Sequence, residues 1–108
     1  MEFNKMLKTI DRVTEIVKQT HVQGQKEYAH DEDNVFANFE RVGSNLNMPR
    51  EKALLVYLLK HMDGICSYVD GYKMQRDSFK GRITDAIVYL CLLWAMDDER
   101  MKEDVRKS

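Results

Sequence analysis

The chain has 108 residues, 44% hydrophobic and 32% charged, with 17 basic and 18 acidic side chains giving a net charge of −1. That length and balance describe one globular domain and exclude an intrinsically disordered chain, a strongly basic nucleic-acid binder and an acidic tail. Seven Met against one Pro and five Gly predict long helices and few tight turns.

Phe3, Met6, Leu7, Ile10, Val13, Ile16 and Val17 recur at three and four residues between polar neighbours, which predicts an amphipathic helix over residues 1–22. Gly24 is placed to cap it, and the polar stretch Gln23 to Asp33 reads as a loop. Asp31 to Asn34 offers N-caps for a second helix carrying Val35, Phe36, Phe39, Val42 and Leu46, weakened at Gly43-Ser44-Asn45. A third helix runs from about Pro49, in the first turn where its missing N–H is harmless, to Tyr68 or Val69. After a connection at Gly71 to Gln75, Asp77 or Ser78 caps a fourth helix reaching about Met96. Ile83 to Trp94 is apolar almost all round, so it must be covered on every side, which three companion helices can do and a second subunit does more easily. Residues 97–108 form a charged, fraying tail.

No strand alternation, repeat or linker interrupts this pattern. The expected fold is all-α: a single domain, 1–108, folded as a compact bundle of about four helices. The first residues lack the apolar core of a signal peptide, and the longest apolar run, Ala86 to Met96, is too short to span a membrane. A cytoplasmic location follows. Cys66 and Cys91 sit in apolar helical patterns and read as small buried hydrophobes; a disulfide would need two helices to align them.

Two helices carry polar side chains within apolar faces. The third has Tyr57, Lys60, His61 and Asp63; the fourth has Ser78, Arg82, Asp85 and Tyr89, spaced four, three and four apart as one stripe. Charge in a buried stripe is costly unless paired or used. Asp63 and Asp85 can face each other around a divalent cation, or Lys60 and Arg82 can hold a phosphate. Alternatively, Lys60–Asp63 and Arg82–Asp85 are structural ion pairs that fix helix register. Tyr28 and Tyr89 can stack on a base or fill the core, and His30 and His61 can act as bases. Asn34 and Asn38, at i and i+4, can read a nucleobase or bond to the charged stripe. The Asp31-Glu32-Asp33 loop is dense in oxygens, as a metal site or as a solvated cap. Arg76, Lys80 and Arg82 alternate with Asp77 and Asp85, which argues against DNA or RNA as the partner.

Residues 26–96 carry a family resemblance. The stretches Lys26 to Phe39, Leu59-Lys60-His61-Met62-Asp63 and Arg76 to Leu90 are similar to small phage and prophage proteins related to the MazG-like all-α NTP pyrophosphohydrolases. The spacing of Asp77-Ser78, Asp85 and Tyr89 is the most specific part. The resemblance implies a helical bundle that assembles as a dimer or tetramer. It further implies a nucleotide site drawing on Lys60, Asp63, Arg82, Asp85, Tyr89, Asn34, Asn38, His30 and Tyr28, with magnesium as cofactor and the α–β phosphoanhydride of an NTP as the bond cleaved. Active members present ExxE and ExxD, four carboxylates around magnesium. Here those positions read Lys60-x-x-Asp63 and Arg82-x-x-Asp85, so four negative charges become a net charge of zero. Opposite charge at about 4 Å competes with metal for each carboxylate, leaving Asp63 and Asp85 a weak metal pair. The expectation is a nucleotide-binding protein with a degenerate acid quartet. The alternative is a non-catalytic phage protein that sequesters a nucleotide or engages host machinery through a helical oligomer surface.

Overall fold

The computed structural model describes residues 1–28, 33–73 and 76–107, with Tyr28 described by its backbone alone. Four helices follow in chain order: α1 (Phe3–Tyr28), α2 (Ala37–Leu46), α3 (Arg50–Val69) and α4 (Phe79–Lys107). The described residues contain no strand, so the all-α bundle read from periodicity is the observed architecture. None of the helices is long and apolar enough to cross a membrane.

Three boundaries differ from the sequence reading. α1 continues to Tyr28, through the stretch expected to be a loop. A Cβ at Gly24 would meet nothing, so Gly24 caps no turn; it sits inside a helix continued by good helix formers and a Gln23–Glu27 hydrogen bond of 3.0 Å. α2 begins at Ala37, later than the run of acidic caps. The expected frayed tail is helical to Lys107, because its Glu, Lys, Arg and Met residues favour helix and Arg106 and Lys107 complement the dipole in the last turn.

α3 and α4 form an antiparallel hairpin. At its closed end Tyr68 stacks on Phe79 with centroids 4.1 Å apart, and Lys73 donates from Nζ to the Tyr68 carbonyl at 3.1 Å. Ser78 caps α4 by accepting the Gly81 N–H at 3.0 Å. α2 packs on α3 and α1 on α4. Asn47 adopts left-handed φ, letting the Met48 N–H donate to the Gly43 carbonyl at 2.9 Å. Gly43 is required there: a Cβ would lie 2.6 Å from the Met48 carbonyl oxygen.

The core is small. Phe36, Phe39, Ala53, Leu54 and Met96 form its fully enclosed cluster, with Tyr57, Tyr89, Leu92 and Leu93 packed around it. Arg50 locks its edge, bonding Glu99 at 2.9 Å, Glu40 at 3.1 Å and Glu51 at 3.5 Å while its guanidinium lies 4.7 Å above the Phe36 ring. Cys66 and Cys91 are both exposed free thiols, not the buried hydrophobes expected, because each lies on its helix's outward face. The fourth helix is likewise uncovered on one side, at Leu90 and Trp94.

Candidate functional site

The C-terminal half of α1 roofs an open cleft of about 940 Å³ above α2, α3 and α4. Its floor is aromatic. The Phe39 ring stands edge-on to Tyr57 and Tyr89, each 5.9 Å away, and Tyr57 lies nearly parallel to Tyr89 at 6.3 Å. Amides of Gln19, Gln23, Gln25 and Asn38 and the imidazole of His21 border it.

The charged corner comes from α3 and the first turns of α4. His61 Nε2 lies 4.0 Å from Asp85 Oδ2, and its ring tilts against Tyr89 at 5.4 Å. His61 Nδ1 is buried without a hydrogen-bond partner. Behind it the Arg82 guanidinium is folded against the backbone of α3 at Gly64, where any Cβ would collide with it. Among the described residues Arg82 reaches one carboxylate, Asp77, at 3.8 Å, and its Nε is buried and unbonded. Burial pushes the Asp85 carboxyl above its ordinary range; His61 pulls it partly back, and Asp77 adds to the rise. A partly desolvated carboxylate and an imidazole therefore share one corner of an aromatic-floored cleft, with the Arg82 guanidinium buried behind them.

Of the residues singled out from sequence, Asn38, Asp85 and Tyr89 line the cleft and Arg82 stands behind it. Lys60 and Asp63 do not join them. Both are exposed on another side of α3, because a step of 100° per residue places Asp63 some 200° around the helix from His61. His61 is the α3 side chain that meets Asp85. Asp63 and Asp85 thus do not converge on a cation. Neither Lys60–Asp63 nor Arg82–Asp85 forms an ion pair among the described residues. Asn34 serves α2 instead: its Oδ1 accepts the Phe36 N–H at 3.1 Å and its Nδ2 donates to Glu40 at 2.7 Å. His30, Asp31, Glu32 and the side chain of Tyr28 lie outside the described residues.

His21 and the glutamines of the roof were missed, because their segment reads as the end of a helix and a loop. The signal available was the spacing of Val13, Val17, Thr20 and Gly24, which continues one helix face past the expected end.

A magnesium quartet does not fit this arrangement. Asp63 lies about 200° around α3 from His61, the side chain that meets Asp85, and no three His, Cys, Asp or Glu side chains group to hold a metal ion among the described residues. The chain matches no known protein family, no curated protein and no solved structure.

Proposed function

We propose that this cleft binds a nucleotide without hydrolysing it, as a MazG-like protein whose acid quartet has degenerated. The observation that carries this reading is the pairing of an aromatic floor with buried, unbonded side-chain nitrogens beside it, His61 Nδ1 in the cleft wall and Arg82 Nε behind it. Tyr57 and Tyr89 offer ring surface to a base, and the Asn38 and Gln25 amides offer both donors and acceptors to its edge. The phosphates turn toward Arg82 and His61, whose open positions suit anionic oxygen. Burial raises the Asp85 carboxyl above its ordinary range, so its charge opposes the phosphates less firmly than that of a fully solvated aspartate. The same reading makes the working form a homo-oligomer, phage-encoded and acting in the host cytoplasm.

The test is thermal shift and calorimetry with ribo- and deoxynucleoside mono-, di- and triphosphates, each in EDTA and in magnesium. Stabilisation that persists in EDTA and weakens in Arg82→Gln is the expected result. Absence of binding by every nucleotide under both conditions would sink the reading. Magnesium-dependent release of pyrophosphate would restore the enzymatic one.

A further inference from the structure

The outward face of α3 carries apolar residues at Leu55, Leu59, Met62, Cys66 and Val69, spaced four, three, four and three apart. That is the seam of a coiled-coil helix, and it lies open: Leu59 is 60% and Val69 68% exposed, and Cys66 is an exposed thiol. Solvating such a seam is unfavourable. Leu90 and Trp94 of α4, also exposed, lie across a shallow groove from Glu51 of α3.

The surface of the whole chain says how much is uncovered. Its accessible area is 8698 Å², whereas a folded monomer of 12.8 kDa exposes about 6,300 Å². Its radius of gyration is 16.1 Å, against about 13 Å for a compact domain of this length. The excess, which includes the exposed N-terminal part of α1 and the α4 tail, is roughly three times the ~800 Å² that each partner buries in a standard stable interface.

Charge along the seam identifies the occupant. Lys52 lies near the N-terminal end of α3, where Glu51 is neutralised by Arg50, Lys60 at its middle, and Asp63 and Asp70 toward the C-terminal end; all four unpaired charges are exposed. None of the four forms an ion pair among the described residues. A helix with this polarity is complementary to itself when reversed, and its macrodipole favours the same orientation.

We infer that α3 pairs antiparallel with α3 of a second copy of this chain, about a two-fold axis passing between Lys60 and His61. In that register Leu59 packs opposite Met62 of the second copy, and Cys66 opposite its Leu55. Lys60 comes beside the second copy's Asp63, and Lys52 beside its Asp70. A parallel pair would instead stack Lys60 on Lys60, Asp63 on Asp63 and Cys66 on Cys66. The pairing deepens the homo-oligomer reading and is independent of whether the cleft binds nucleotide. It gives Lys60 and Asp63, which stand outside the cleft, a common role: fixing orientation and register between subunits.

The experiment has two arms on the full chain. Light scattering should give twice the mass of one chain, halved by Leu59→Glu with the helical circular dichroism retained. In the Cys91→Ser background, Leu55→Cys should form a covalent dimer with diamide through Cys66 of the second copy, while Cys91→Ser alone should not. A wild-type chain that is monomeric at every concentration overturns both the homo-oligomer reading and this pairing. A dimer that survives Leu59→Glu and is not cross-linked by Leu55→Cys overturns the pairing alone. Cross-linking of Cys91→Ser alone through Cys66 overturns the antiparallel orientation.

Discussion

The α3–α4 hairpin holds an arginine near each end, and the two are treated oppositely. Arg50 and Arg82 are almost equally enclosed, with side chains 19% and 15% exposed. Arg50 bonds three carboxylates and covers a phenylalanine ring. Burial works against its charge, but the bonds to Glu99, Glu51 and Glu40 outweigh that and raise its pKa above the usual value. Arg82 has one carboxylate at 3.8 Å and an unbonded Nε, beside a histidine with an unbonded Nδ1. Buried polar groups are nearly always satisfied, so the two ends of the hairpin contribute differently to stability. The satisfied end holds the fold together; the unsatisfied end lies beside the cleft.

The largest effect that separates the two ends is expected from removing each arginine. Arg50→Ala leaves Glu99, Glu40 and Glu51 without their shared cation and should cost about 2–3 kcal/mol, lowering Tm by roughly 10–15 °C in calorimetry. Arg82→Met removes a desolvated charge with only one distant partner and should change stability by less than about 1 kcal/mol in either direction. Equal losses from both substitutions would erase the contrast.

A smaller effect is expected from acid. The Asp85 carboxyl titrates higher in the folded chain than in the unfolded one, so the folded state binds the proton more tightly. Folding favours its neutral form relative to the unfolded chain, and stability from this site is present at low pH and is lost as pH rises through the folded pKa. Asp85→Asn should therefore raise Tm at neutral pH relative to wild type. That gain should vanish below the ordinary aspartate range, which a series of thermal melts across acid to neutral pH would read directly. A gain that is independent of pH would place its cause elsewhere than in the carboxylate.

Much of this was legible in the sequence. The stripe of Arg82, Asp85 and Tyr89 is set by one helix's period, and α4 does present it to the cleft side of the hairpin. Pro49 marks the start of α3 to within a residue. What the pattern could not convey is rotation of one helix against another. Lys60, His61 and Asp63 are neighbours in sequence but point in three directions around α3, and only packing against α4 selects His61. Local residue types also misled at two ends. Gly24 and the charged run after Met96 look like helix breaks, yet both lie within continuous helix: Val13, Val17 and Thr20 lie against the bundle before Gly24, and strong helix formers follow Met96. The open seam on α3 was also hidden, because an apolar residue in a sequence does not say whether its own chain or another covers it.

The most direct measurement follows the side-chain Nε–H resonances of the arginines by NMR while ATP is added in EDTA. The Arg82 signal should move and become protected from exchange as the nucleotide saturates, while that of Arg50, already bonded on all sides to carboxylates, stays in place. If ATP leaves Arg82 unmoved, or perturbs Arg50 as much as Arg82, the open donors at the cleft end do not form a phosphate site and the central claim is wrong.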